Sequence, residues 1–477
     1  MTPLLDTLLT LLDSWRGVFA QERSFLRAVS HALALATVLG RRAITRVICV
    51  KGAAYGKGWN SEYKLFSRSP WNPPLLFTPV WKEYLSRYPK DPIRIAIDET
   101  GLEKTGRSIP DVQWMRDPMS PPFQVNLMLG LRFLQASMLF PHYREQDCSA
   151  RGMPVSFTQS TRIRKPGKRA TDEQKSAYRI AVKQQNLSTH AVTLFGQLRE
   201  EADRHGATER ALWLTLDGSF ANRTVFRAPL ERTELIARCR KDARLCRPAL
   251  PGSRRIYDRE VFTPEQVLAD ANIPFKTAFV YLANGWRWLR YKEINAVLWQ
   301  RGAATRRLRL IVVEPQPYRS SPNSRLRRRD PSFLLATDLL SSTEELLQVY
   351  CDRWQIEVNH LEEKSVFGVG EAQVRSPMSV PRHPALAVAA YSLLLLAGLK
   401  AFGPGRTDDY QTLPRWRRAS KRASILDLLT LLRAEIQLAS SHAMPNRHET
   451  HDETARDVLS AVFPLPTAAD LVRHAFT

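Results

Sequence analysis

Two runs of alternating character each end in an aspartate. In IRIAID, Ile93, Ile95 and Ile97 alternate with Arg94, Ala96 and Asp98. In ALWLTLD, Leu212, Leu214 and Leu216 stand opposite Trp213, Thr215 and Asp217. Period two is the signature of a strand, and groups at the carboxyl ends of neighbouring strands in an open α/β sheet converge on one edge, where ligands bind. One strand-terminal Asp is weak evidence, because turns favour Asp anyway. The segment VYCDRWQIEVNHLEEK supplies a third carboxylate. Read as a helix at ~100° per residue, it puts Tyr350, Arg353, Glu357 and Lys364 within an arc of roughly 60°. Asp352, Glu362 and Glu363 point away from that stripe. Glu357 is thus a carboxylate flanked by cations and backed by a phenol. Glu357 and Lys364 are too far apart for the usual i, i+4 surface ladder, and their spacing suits presentation to an extended ligand.

The remainder of the chain narrows what such a constellation would act on. The 477 residues carry 70 Lys+Arg against 47 Asp+Glu, a formal charge of +23. This excess points to a polyanionic partner, nucleic acid before an acidic membrane surface. With 44% apolar and 25% charged residues, the composition is that of a folded protein and excludes a largely disordered chain. Cys49, Cys148, Cys239, Cys246 and Cys351 are scattered and show no Cys-x2-Cys spacing. Neither a disulfide framework nor a zinc site is indicated, and reduced thiols in a cytoplasmic protein are expected. The N-terminal leucines Leu4, Leu5, Leu8, Leu11 and Leu12 recur with Trp15 at helical spacing, which predicts a core-facing helix rather than a signal peptide. The longest apolar run, 384–399, falls short of the roughly 20 residues of a membrane span, so a buried helix and no membrane role are expected. His142, His360 and His383 stand isolated, with no Ser/His/Asp arrangement.

Five regions follow from the pattern. Residues 1–90 read as helical and, through Arg41, Arg42, Arg46, Lys51, Lys57, Lys64 and Arg68, as a candidate DNA-binding region; a solvated basic face fits these cations equally well. Residues 91–246 read as a first α/β part: two separate strands in FQVNLMLGLRF and QASMLFP, then one long helix from Thr171 to His205. Residues 247–332 turn basic, aromatic and loop-rich, with Trp286, Trp288, Tyr291 and Trp299 among arginines, and read as an inserted subdomain. Residues 333–402 return to strand character in SFLLATDLL, and Ser342-Thr343-Glu344-Glu345 opens the helix bearing Glu357. Residues 403–477 form a basic helical region containing Arg415, Arg417, Arg418, Lys421 and Arg422. No internal repeat is present.

These residues resemble the DDE transposases of bacterial insertion sequences that carry a Tyr-x2-Arg-x3-Glu-x6-Lys signature. Tyr350, Arg353, Glu357 and Lys364 match it at every position, and the likeness extends through IAIDETGLEKTG, LTLDGSFANR and WQIEVNHLEEKSVFG, most of the span 93–400. Glu99, where such families often have Asp or a small residue, faces away from Asp98 on a strand and is read as structural.

The resemblance implies an α/β, RNase H-like catalytic core of mixed sheet and flanking helices, interrupted by an insertion before the glutamate helix. It implies that Asp98, Asp217 and Glu357 are catalytic and hold two Mg²⁺ ions, with Mn²⁺ as a substitute. Two metals ~4 Å apart activate the attacking oxygen and stabilise the leaving one in an in-line displacement. Water releases a 3′-OH at the transposon end, and that 3′-OH then attacks target DNA. Arg353 and Lys364 suit phosphate contacts, while Tyr350 either bonds a phosphate oxygen or braces the helix. In related transposases an aromatic residue of the insertion holds a flipped base; Trp286 or Trp288 would serve here, although core packing is the default for any single tryptophan. The loop from Arg162 to Arg169 fits a phosphate contact or a solvated loop. Double-stranded DNA, both transposon ends and target, is the expected partner, and a homodimer is expected because two ends must be paired. Two other readings stand beside this one: an inactive DNA-binding relic, and a nuclease without strand transfer.

Overall fold

The computed structural model describes residues 2–51, 58–117, 120–121, 123–319, 324–417 and 420–442. Five helices precede the sheet: α1 (Pro3–Asp13), α2 (Glu22–Thr37), α3 (Ile44–Val50), α4 (Ser61–Ser67) and α5 (Thr78–Arg87). Leu4, Leu5, Leu8, Leu9 and Leu12 bury one face of α1, and nearly all of α2 beyond its first turn is buried. Two cations of the expected DNA-binding face are structural instead. Lys51 is buried against Glu62 at 2.6 Å, and Arg42 is buried with its Nε donating to the Leu35 carbonyl. Lys57 lies outside the described residues.

The first strands are β1 (Ile93–Glu103), β2 (Gln113–Arg116), β3 (Leu127–Phe140) and β4 (Arg151–Gln159). The two strands expected within 123–141 are one, β3, because Leu131 to Phe140 is buried almost without interruption and needs no turn. Next come α6 (Asp172–Gln184) and α7 (Leu187–Arg204). The expected single helix breaks because Asn186 caps α7, its side chain accepting from the Ser188 and Thr189 amides. Then follow β5 (Leu212–Leu216), α8 (Arg223–Phe226) and β6 (Thr233–Arg238).

The stretch expected to be loop-rich is built largely on strands. It contains β7 (Leu245–Pro248), β8 (Tyr257–Phe262), α9 (Pro264–Ala269), β9 (Lys276–Tyr281), β10 (Trp286–Leu298), α10 (Gln300–Ala303), β11 (Arg307–Val313), β12 (Pro317–Tyr318) and β13 (Arg327–Arg328), and β14 (Ser332–Ala336) follows. The last described elements are α11 (Thr343–Asp352), α12 (Trp354–Ser365), α13 (Ser379–Phe402) and α14 (Ile425–His442); Arg418 and residues 443–477 of the expected basic helical region lie outside the described residues.

Twelve strands form one mixed sheet, ordered β2-β3-β1-β5-β6-β14-β11-β10-β7-β8, with β4 also on β3 and β9 also on β10. β1 pairs antiparallel with β3 and parallel with β5, and β5 pairs parallel with β6. β14, β11 and β10 extend the sheet antiparallel, so the basic, aromatic stretch continues the same sheet. Helix α13 is 24 residues long with mean hydropathy 1.9 over its most apolar window. It is longer than the 384–399 run indicated and meets the length and hydropathy of a membrane span, but 83% of that window is buried in the fold, packed on β4, α1 and α2. It is the spine between the sheet and the N-terminal helices.

The interface of α2 and α13 holds His31 and His383, both buried, ring centroids 5.4 Å apart and edge to face. Burial holds His31 well below the usual imidazole range and takes His383 down to about 3. Both enter the fold neutral. A histidine with a depressed folded pKa contributes no penalty above its unfolded value near 6.5 and costs stability as pH falls below it, about 1.4 kcal/mol per group per pH unit. The melting temperature of His383→Phe is therefore expected to fall less between pH 7 and pH 5 than that of the unsubstituted protein. Parallel melting curves would refute the assignment.

Candidate active site

Parallel pairing of β1 with β5 runs from Ile93 opposite Leu212 to Ile97 opposite Leu216. The next residues are Asp98 and Asp217, at the same level; Asp217 follows the end of β5 as expected, but Asp98 does not close its strand, because β1 continues to Glu103 by pairing with β3. Asp98 also stands opposite Gln135 of β3. Its side chain accepts from the Glu99 amide at 2.8 Å. Burial pushes the Asp98 carboxyl up to about 7; Arg353 and the Glu99 amide oppose the shift, while Asp217 and Glu357 add to it. Asp98 therefore lies within the field of both Asp217 and Glu357. Glu99 is exposed and 3.9 Å from Arg132, away from the carboxylates.

The third acid arrives on α12, whose docking is the densest polar feature beneath the site. Gln135 donates to Glu363 at 2.8 Å, tying the helix to the residue beside Asp98. Asn359 donates to the Gly152 carbonyl and to the Tyr391 hydroxyl, both at 3.0 Å. Tyr391 in turn donates to Glu362, which also lies 3.5 Å from Arg151. Burial raises Glu363 to about 8, so it sits mostly protonated at neutral pH, an acceptable state for a carboxyl sealed under a helix. Gly152 permits the close approach: a Cβ there would lie 2.7 Å from Asn359 Oδ1 and 3.1 Å from Gln355 Cβ.

The helix expected across 343–365 is divided at Arg353, between α11 and α12, with Arg353 itself in a right-handed helical conformation. α11 is anchored differently. Its Glu344 accepts from the Phe279 amide at 3.0 Å, and Gln348 accepts from the Tyr281 amide at 2.7 Å and donates to the Tyr281 carbonyl. Residues i and i+4 of the helix thus satisfy alternate residues along the free edge of β9. Asp352, fully buried and pushed up to about 7 by that burial, accepts from Tyr143 at 2.9 Å and Gln348 at 3.0 Å.

At the α11–α12 junction Arg353 reaches both acids. Its Nη2 donates to Glu357 at 2.7 Å, and its Nη1 lies 3.7 Å from Asp98, too long for a hydrogen bond. Nη1 is buried and makes no hydrogen bond among the described residues. Tyr350 backs the guanidinium, with the ring centroid 5.8 Å from Cζ; burial raises the phenol, which also faces Arg238 and Asp217. Lys364 is half-buried and lowered by that burial, with Glu363 and Asp98 opposing the shift. Five of the residues named from spacing therefore act on one another here: Asp98, Asp217, Tyr350, Arg353 and Glu357. Lys364 borders Asp98.

Trp286 and Trp288 stand elsewhere. They lie on β10, 45% and 64% exposed, so core packing does not account for them. Phe279 stacks on Trp286 at 5.1 Å, and Trp286 meets Tyr143 and Tyr281 edge-on. Among the described residues no hydrogen bond or ion pair joins these tryptophans to Asp98, Asp217 or Glu357. Arg238 escaped notice in the sequence. It ends β6, the third parallel strand, while Asp217 follows the end of β5 and Asp98 lies within β1, and its charge acts on Tyr350.

Hard oxygen donors on adjoining elements suit a hard divalent cation, and the site already holds a cation between two of them. Among the described residues no three His, Cys, Asp or Glu side chains are gathered tightly enough to hold a metal as they stand. The guanidinium of Arg353 stands between two of the acids, Asp98 and Glu357. The carboxylates fit the ion; the side-chain arrangement is the one they adopt around arginine.

Residues 25–304 match the family described as DDE superfamily endonuclease, more than half of the chain. No curated protein matches the chain. The matched span contains Asp98 and Asp217 and stops short of Glu357, whose place at the site rests on the docking of α12.

That docking predicts a sensitive position far from any charge. Gly152→Val is expected to lift α12 from β4, with a stability loss of ~1–3 kcal/mol by urea denaturation and a loss of DNA cleavage well beyond that of Gly152→Ala. Full activity in the valine variant would contradict the close approach.

Proposed function

The chain belongs to the DDE superfamily of endonucleases, and on that premise we propose that it is a DNA transposase that cuts transposon ends and joins the resulting 3′-OH to target DNA. One observation carries the reading: Asp98 and Asp217 follow paired residues of adjacent parallel strands, and Arg353 spans from Asp98 to Glu357. The order β4-β3-β1-β5-β6, three antiparallel strands followed by two parallel to the first, supports an RNase H-like core. The match to the tyrosine–arginine–glutamate–lysine signature supports an insertion-sequence origin.

Asp98, Asp217 and Glu357 would hold the divalent cations, two Mg²⁺ or Mn²⁺ ions. Such ions, when bound, lower the pKa of an attacking water and stabilise the leaving oxygen. The protein's own groups do the rest. Arg353, through its unpartnered Nη1, and Lys364 bind phosphate oxygens near the cut. Arg238 adds a third cation on the β6 side, and Tyr350 holds the guanidinium from behind. Trp286 and Trp288, exposed on β10, offer faces on which an unstacked base can rest. Arg162, Arg164, Lys165, Lys168 and Arg169 form no ion pair among the described residues and are exposed, which suits backbone contacts at the β4 side. We place the protein with DNA in the cytoplasm, acting as a homodimer on paired ends.

Asp98→Ala, Asp217→Ala and Glu357→Ala are each expected to abolish Mg²⁺-dependent cleavage while leaving duplex binding, measured without divalent ions, within a few-fold of the unsubstituted protein. Cleavage retained by any one of them removes that residue from the catalytic set. A plasmid-integration assay with a labelled terminal-repeat oligonucleotide separates transposase from nuclease: joined product is expected, and cutting without joining would favour the nuclease. Affinity is expected to fall steeply with salt, and neutralising Lys165, Lys168 and Arg169 together should flatten the slope by about three phosphate contacts. An unchanged slope would return that loop to solvent.

A further inference from the structure

Arg353 occupies the ground that a carboxylate-bound cation would need. Its guanidinium donates to Glu357 at 2.7 Å and stands 3.7 Å from Asp98, with only 12% of its side chain exposed. Asp217 lies within its field as well. A divalent ion held by the same acids would sit a few ångström from this fixed positive charge, which strongly disfavours double occupancy. The guanidinium has an alternative partner. Nη1 already makes no hydrogen bond, and a phosphate oxygen would accept from it, with a bidentate arginine–phosphate pair as the end point.

We propose that Arg353 is a placeholder cation that couples metal loading to DNA binding: without DNA it neutralises Asp98 and Glu357 and opposes metal entry, and a DNA phosphate draws it away and opens the acids to divalent ions. The inference rests on the carboxylate site proposed above and adds to it an order of events. An endonuclease so built carries no loaded metal centre until duplex lies over it. The coupling is reciprocal, so metal tightens DNA binding by the same factor by which DNA tightens metal binding. Tyr350, behind the guanidinium, is the pivot from which the arginine turns.

The test is Mn²⁺ binding to the whole, folded protein, followed by the electron paramagnetic resonance of free Mn²⁺, with and without a short duplex. Unsubstituted protein is expected to bind Mn²⁺ at least about 10-fold more tightly with duplex than without it. Arg353→Gln is expected to bind Mn²⁺ at least about 10-fold more tightly than the unsubstituted protein in the absence of DNA, and to lose most of the gain that duplex confers. Its metal-free melting temperature should drop and be restored by Mn²⁺. Should Arg353→Gln fail to fold, Arg353→Met serves: it keeps an unbranched stem and removes the charge, and its DNA-free Mn²⁺ affinity should exceed that of the unsubstituted protein. Affinity equal to or weaker than that of the unsubstituted protein, in whichever folded variant is measured, overturns the proposal. Failure of the underlying site looks different: no Mn²⁺ binding that Asp98→Ala abolishes, with or without duplex.

Discussion

Acidic side chains do not crowd together at a half-buried sheet edge unless positive charge is set among them. Asp98, Asp217 and Glu357 meet that constraint through Arg353, which leaves one nitrogen without a hydrogen bond and one carboxyl raised to about 7 by burial. The arrangement is a compromise, since taking even paired charges out of water carries a desolvation cost that good geometry must repay, and Nη1 makes no hydrogen bond among the described residues. A divalent cation for the acids and a phosphate for the arginine would satisfy every group at once. The chemistry proposed for the protein is that exchange.

The rest of the fold serves to hold the acids where this exchange takes place. Asp98 and Asp217 need only parallel pairing of β1 with β5. Glu357 needs far more, because a helix can slide on a sheet. Gly152 lets α12 approach, Gln135 and Asn359 fix its height, and Tyr391 of the core helix α13 closes the contact. α11 is fixed independently, by Glu344 and Gln348 along the edge of β9. Arg353 lies at the junction of these two anchors. A movement of β9, where Phe279 is exposed beside Trp286 of β10, would therefore be felt at the residue that bridges the acids.

Much of this was legible in the order of residues. Alternation marked β1 and β5, and helical spacing collected Tyr350, Arg353, Glu357 and Lys364 on one stripe. The sheet beyond them was not legible. β3 read as two strands because its polar Gln135 and Ser137 imitate a break, when both are buried, Gln135 donating to Glu363 of the glutamate helix and to Ser137. β8 to β11 read as loop because arginines and tryptophans interrupt their alternation, although β8 pairs with β7, β9 with β10 and β10 with β11, each a near neighbour in sequence. Asp352 and Glu363 were rightly turned away from the stripe, yet nothing local tells that the opposite side of the helix is the buried one. Arg42 and Lys51 looked like DNA contacts for the same reason: charge is visible in a sequence, and burial beside a distant acid is not.

The central claim is that three carboxylates remote in sequence jointly hold divalent ions against DNA. Fe²⁺ substituted for the native ion in the duplex complex, with ascorbate and peroxide, cuts the polypeptide wherever the ion resides, and mass spectrometry locates the cuts. Clusters of cleavage close to Asp98, Asp217 and Glu357, all lost together in Asp217→Ala, are the predicted result. Cuts confined to one of the three, or lying elsewhere in the chain, would contradict the account.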